Sequence, residues 1–190
     1  MNTLIVTTLS RESEIDSVKS FNDRFGDNFR IVTDMDIPFG NVWKVDNSDK
    51  STVEWTKRFL RKFLEESDYD SLIKIDPDTK IQSLPTIPND CDIAGDFRKS
   101  NMDWVWFGAY QFYTRESVQK ILNDSLYTGY CIYQDIELAK SIIRLNLKAY
   151  NMSDVNGWCP DESPTELVSH LGRRPIERFP VGLMNFNWYK

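Results

Sequence analysis

Hydrophobic positions along the chain switch repeatedly between two periods. Leu4 to Leu9 is an unbroken run of apolar and β-branched residues, the pattern of a strand buried on both faces of a sheet. Ser10 then stands where it can cap a helix. Glu12 and Glu14 fall in the first turn, and Ile15, Val18, Phe21 and Phe25 recur at helical spacing until Gly26 stops the helix. A second strand, Phe29 to Thr33, ends at Asp34. This strand, helix, strand order predicts an α/β layer architecture.

After a turn-rich stretch from Asp36 to Gly40 and a short strand from Val42 to Val45, Ser51 and Glu54 have capping-box spacing and predict a helix to Glu66. Val53, Phe59, Leu60, Phe63 and Leu64 form its apolar stripe, edged by Lys57, Arg58, Arg61 and Lys62. Ser71 to Ile75 reads as another strand and runs directly into Asp76, Pro77, Asp78 and Thr79. Strands at Asp92 to Phe97 and Val105 to Thr114 follow, with helices at Arg115 to Leu122 and Asp135 to Leu145. From Asn156 to Lys190, Gly, Pro, Trp and charged residues mix without a period, which predicts a tail wrapped over the domain.

The length of 190 residues predicts a single domain spanning 1–190. With 41% hydrophobic and 27% charged residues, the chain has the material for a core and does not read as disordered. Its 23 basic and 29 acidic residues leave a formal charge of −6, which opposes wholesale binding to a phosphate backbone. Nucleic-acid contact is then restricted to a local basic patch such as one holding Arg98 and Lys99. Cys91, Cys131 and Cys159 are too irregularly spaced for a disulfide framework or a zinc knuckle, and suggest a cytoplasmic protein. The N-terminal segment has no basic region or cleavage site of a signal peptide, and no apolar run approaches the roughly 20 residues that span a bilayer.

Asp76 and Asp78 leave the C-terminal end of a hydrophobic strand, where open α/β sheets bind ligands. Paired hard oxygens suit Mg²⁺ or Mn²⁺, which bridge the oxygens of a diphosphate. The same pair also suits a turn around Pro77. Asp135 is placed either as a general base or as the N-cap of its helix. Trp104, Trp106, Phe107, Tyr110, Phe112 and Tyr113 alternate as in a strand, so most belong to the core, with one face available to line an acceptor cleft.

The segment YDSLIKIDPDTKI resembles the hydrophobic strand and DxD motif of GT-A-fold glycosyltransferases that use nucleotide sugars. WVWFGAYQFYTRESVQKIL is similar to their glycine-containing acceptor-side strand and following helix, and YCIYQDIELAKSI to their later acidic motif. VSHLGRRP is similar to a late histidine, glycine and basic segment found in several of these families. Two departures stand out: Gln134 precedes Asp135 where a paired acid is usual, and Gly108 is followed by Ala109 where a double glycine is commoner.

The resemblance implies a single GT-A-like, Rossmann-like α/β domain with a mostly parallel central sheet flanked by helices, residues 156–190 closing over the donor site. It implies a metal-dependent enzyme that moves a sugar from a nucleotide diphosphate sugar, a UDP-sugar being the expected donor, to an acceptor hydroxyl. Asp76, Asp78 and His170 would hold Mn²⁺ or Mg²⁺, and Arg173 or Arg174 would meet the diphosphate. Thr7, Thr8, Arg11 and Asp34 would line the nucleotide pocket at the ends of the first two strands, Lys57 would meet the donor, and Gly108 would lie beside it. Asp135 would be the base of an inverting enzyme. Acceptors of such enzymes include glycans, small molecules and, in some bacterial viruses, hydroxymethylated DNA bases. Two other readings compete. A haloacid-dehalogenase-type phosphatase also has a strand followed by D-x-D, but Lys80 stands where it has Thr or Val, and the motif is not on the first strand. A non-catalytic nucleotide-binding module is the third.

Overall fold

A computed structural model describes residues 2–49, 51–77, 79, 84, 86–100, 105–128, 134–152, 176–178 and 182–185. Among them, nine strands form one mixed sheet: β1 (Thr3–Thr8), β2 (Phe29–Thr33), β3 (Val42–Lys44), β4 (Ser71–Ile75), β5 (Ile93–Ser100), β6 (Val105–Thr114), β7 (Ala149–Asn151), β8 (Ile176–Arg178) and β9 (Gly182–Leu183). Four helices cover it, α1 (Ile15–Phe25), α2 (Thr52–Glu66), α3 (Arg115–Leu122) and α4 (Gln134–Arg144). The strand order is β3-β2-β1-β4-β6-β5-β7-β9, with β8 paired to β5. Pairing is parallel from β3 through β4 and between β5 and β7, and antiparallel where β6 lies between β4 and β5. The α/β architecture expected from the sequence is the one observed.

Alternation along the strands divides the core into two layers. Leu4, Val6, Val32, Leu72 and Tyr113 face α2, α3 and α4, packing against Phe59, Phe63, Val118 and Leu138. Ile5, Ile31, Ile73, Ile75 and Phe112 face the opposite way and pack with Val18 and Phe21 of α1. On β4 the same alternation puts Lys74 on the α2/α4 face, because it follows Leu72 by two positions.

The caps differ in detail from the sequence expectation. Ser10 is not the acceptor that opens the first helix. Glu12–Glu14 form a short 3₁₀ turn, and the Glu14 carboxylate reaches back to accept from Ser10 N at 3.1 Å and Arg11 N at 3.2 Å. The longer glutamate side chain covers two orphan donors where a serine hydroxyl covers one. Gly26 ends α1 with φ of 56°, a left-handed value that glycine adopts freely. At α2, Ser51 Oγ accepts from Glu54 N at 3.2 Å, but the reciprocal bond is absent: Ser51 N donates to Asp49 Oδ1 and the Glu54 carboxylate holds Lys57.

The far end of α2 is closed by a residue from another element. Arg115, which opens α3, donates through Nη1 to Ser67 O at 2.9 Å and Tyr69 O at 3.2 Å, and through Nη2 to Leu64 O. Its guanidinium lies 5.2 Å from the centroid of the Phe63 ring. One side chain thus satisfies a carbonyl of the last helical turn together with two of the chain that leaves it.

The β5/β6 pairing contains a bulge. Gly95 pairs with Gln111 and Phe97 with Phe107, so that Asp96 alone stands opposite Gly108, Ala109 and Tyr110. Asn151 Oδ1 on β7 accepts from Phe97 N at 3.0 Å inside it. Bulges of this kind re-aim side chains beside functional sites. Two stretches of the C-terminal region expected to be a tail, β8 and β9, are strands that pair with β5 and β7.

Candidate active site

The parallel strands β1 and β4 run side by side, Thr7 opposite Ile75, so β4 delivers Asp76 at the C-terminal edge of the sheet. On the antiparallel side, Lys74 stands opposite Gln111 and Leu72 opposite Tyr113. Lys74, Gln111 and Tyr113 therefore share the face covered by α2 and α4. Tyr113 Oη donates to Gln111 Oε1 at 2.6 Å, and both residues are fully buried. The Lys74 ammonium, on a side chain only 9% exposed, is ion-paired with Asp76 Oδ1, whose side chain is 32% exposed. A lysine so enclosed keeps its charge only where carboxylates surround it.

Asp135, near the start of α4, is the second carboxylate of the cluster. Burial pushes its carboxyl up to about 7, the charge of Lys74 opposes that rise and the charge of Asp76 adds to it. Its pKa thus lies where a base at neutral pH should be poised. Burial also drives the Tyr113 hydroxyl far up, helped by Tyr127, Asp135 and Asp76. Tyr127, completely buried, is raised by burial against the opposing effect of the Gln134 amide, and Asp135 adds to the rise. From α2, Lys57 Nζ sits 5.3 Å from the centroid of the Tyr127 ring and 3.2 Å from Glu54 Oε1.

Of the residues singled out from the sequence, the structure brings Asp76 and Asp135 into one electrostatic cluster and sets Lys57 at its margin through Tyr127. Thr8 is half-buried at the end of β1, while Arg11 and Asp34 are exposed beyond the ends of β1 and β2. Thr7 requires a correction. Its side chain is fully buried and its hydroxyl donates to Ile75 O at 2.8 Å, so it ties β1 to β4 and presents nothing to a ligand. Alternation turns Thr7 to the α1 side, one position out of phase with Thr8. Gly108 lies in the bulge. Asp78, His170, Arg173 and Arg174 lie outside the described residues.

Lys74, Gln111, Tyr127 and Gln134 join the site without having been singled out for it, and Tyr113 joins it from the aromatic set of β6. Lys74 did carry a signal, being the one charged residue inside the fully buried strand Ser71–Ile75, two positions from Asp76 and so on its face. Tyr113 carried only the weak signal of its aromatic strand, most of which was expected to be core.

The donor chemistry fits a hard divalent cation. Asp76 is a strand-end carboxylate that already engages one positive charge, the Lys74 ammonium, and Asp135 lies within electrostatic range of both. Among the described residues no cluster of three or more His, Cys, Asp or Glu converges. Cys91 contributes nothing to it: its thiol is buried, pushed up to about 11 by that burial, and donates to Pro88 O. Among the described residues no helix is long and apolar enough to cross a membrane.

The sequence matches no family profile and no curated protein. Its fold, however, is similar to that of solved structures. One is a mutant of Drosophila β1,4-galactosyltransferase 7 in complex with manganese, UDP-Gal and xylobiose, at a TM-score of 0.51 and 14% identity, covering 88% of this chain and 74% of that one. Another is the catalytic domain of the same Drosophila enzyme with xylobiose, also at 0.51 and 14%, covering 87% and 73%. The chain therefore has a GT-A-like fold.

Proposed function

We propose that this protein is a metal-dependent glycosyltransferase that moves a sugar from a nucleotide diphosphate sugar, a UDP-sugar by analogy with the UDP-Gal of its structural neighbour, to an acceptor hydroxyl. The observation that carries this reading is the carboxylate cluster at the C-terminal end of β4, Asp76 with Asp135 on the α2/α4 face. Open α/β sheets bind their ligands at that edge.

In this reading Asp76, Asp78 and His170 would hold Mn²⁺ or Mg²⁺, which would supply positive charge to a departing diphosphate. Arg173 or Arg174 adds positive charge to the same oxygens. Thr8, Arg11 and Asp34 meet the nucleotide, Lys57 approaches the donor from α2, and Gly108 leaves room beside it. Asp135 accepts the proton of the attacking acceptor hydroxyl in an inverting displacement, a step worth roughly 10² to 10⁴ in rate. Its half-buried position at the start of α4 and its near-neutral pKa support that role. Residues 156–190 close over the donor within a single domain of 1–190, working in the cytoplasm.

Acceptor choice follows charge. A net −6 favours an uncharged glycan over duplex DNA; a hydroxymethylated DNA base is served only through a local patch such as one including Arg98 and Lys99 of β5. The test is a panel of nucleotide sugars with Mn²⁺ or EDTA, read by donor hydrolysis and thermal shift. One donor should be hydrolysed slowly and should stabilise the protein only with Mn²⁺. Equal shifts in both buffers, with no hydrolysis of any donor, would remove the reading.

A further inference from the structure

Lys74 occupies an unusual place for a cation. It lies in the middle of a strand whose other residues are all buried, its side chain is 9% exposed, and its ammonium grips the carboxylate proposed as a metal ligand. Around it are the buried amide of Gln111 opposite on β6, and Asp135, the second carboxylate within range of its charge. A buried ammonium needs a carboxylate, and the partly exposed Asp76 supplies it.

The geometry points to Lys74 as an internal counter-cation that occupies Asp76 when no divalent ion is bound and must release it when one binds. This rests on the metal-binding reading of Asp76. A divalent ion that takes Asp76 first breaks the Lys74–Asp76 pair, so its affinity is lowered by that competition. The displaced ammonium is not stranded, because Asp135 remains within range of its charge. Lys74 thereby offsets the repulsion between Asp76 and Asp135 in the metal-free protein, while making the ion exchangeable.

The consequence is a direction opposite to that of an ordinary site mutation: removal of a charged residue from the site should strengthen ligand binding. Lys74→Met keeps the length of the stem and removes the ammonium. Full-length wild type, Lys74→Met and Asp76→Asn are titrated with Mn²⁺ alone, free ion being read by electron paramagnetic resonance and each sample also by thermal shift. Lys74→Met should bind Mn²⁺ at least about tenfold more tightly than wild type and gain more melting temperature from it. Asp76→Asn should lose the binding. Should Lys74→Met fail to fold, Lys74→Gln carries the test: its amide still donates to Asp76 but brings no charge, and its affinity should fall between the two.

Asp76-dependent binding that is unchanged or weaker in the Lys74 variants overturns the counter-cation role and leaves the metal reading standing. Binding unaffected by Asp76→Asn, or no binding by wild type and the Lys74 variants alike, overturns both.

Discussion

Asp135→Asn separates what the carboxylate does for the reaction from what it costs the fold. The Asp135 carboxyl rises from 3.8 to about 7 because burial disfavours its charged form. The folded protein then holds a proton that the unfolded chain has released between those two values, so stability falls as pH rises through that window and levels off above it. About three units at roughly 1.4 kcal/mol each give about 4 kcal/mol. The residue is only half-buried, and solvent contact trims this to roughly 2 to 4 kcal/mol. Asp135 lies inside the first turn of α4 and is not its N-cap, so asparagine, close in shape and neutral, avoids the penalty without disturbing a cap.

The expected result is a variant more stable than wild type at pH 8. For a domain of this size the gain is roughly 4 to 16 °C, at about 2 to 4 °C per kcal/mol. At pH 4.5, where the wild-type carboxyl is protonated in the fold, most of that gap should close. Melting curves of both proteins in EDTA at the two pH values test it, alongside transfer rates, which should drop roughly 10² to 10⁴ if Asp135 is the base. A variant no more stable than wild type at pH 8, or a gap of the same size at both pH values, would show an ordinary solvated carboxylate. Asp135 would then not be a base poised near neutrality.

Three further outcomes are expected. Thr7→Val should lower stability by about 1 kcal/mol in denaturant titration, since it removes the bond to Ile75 O, and should leave the affinity for a nucleoside diphosphate unchanged. Asp76→Asn should abolish the Mn²⁺-dependent part of the thermal shift given by a nucleoside diphosphate. It should also lower the melting temperature in EDTA, because the buried Lys74 loses its charged partner, at roughly 1 to 3 kcal/mol. Arg115→Met, which strips the bonds to Leu64, Ser67 and Tyr69 carbonyls, should cost roughly 2 to 3 kcal/mol, with donor affinity intact.

The elements legible in the sequence were those whose pattern is set locally. β1, β2 and β4 declared themselves as apolar runs, and α2 by its Ser51 cap and its stripe from Val53 to Phe63. The strands β7, β8 and β9, of three, three and two residues, exist because a neighbour offers free backbone groups, and so few residues show no period. The site was legible in part for the same reason. Asp76 follows a visible strand and Asp135 opens a visible helix. Their convergence depends on β6 turning back between β4 and β5, so that β4 and α4 meet on one face, a long-range pairing that no local spacing encodes. Tyr127 sits in the turn before α4, where nothing in its neighbours marked it as part of the cluster.

The closure of α2 by Arg115 also imposes an order in time. The side chain that completes the helix end lies 48 residues beyond Ser67 and 51 beyond Leu64. During synthesis at about 5 to 20 residues per second, the end of α2 leaves the ribosome roughly 2 to 10 s before Arg115 does. Until then only the Phe63 carbonyl has a local partner, the Ser67 hydroxyl, and the Leu64 carbonyl depends on water or on chance partners in the nascent chain. A helix with a strong local start and a late, distant finish winds from its N-terminus and waits. Chaperone contact during that pause should fall on the Leu60, Phe63 and Leu64 end of α2.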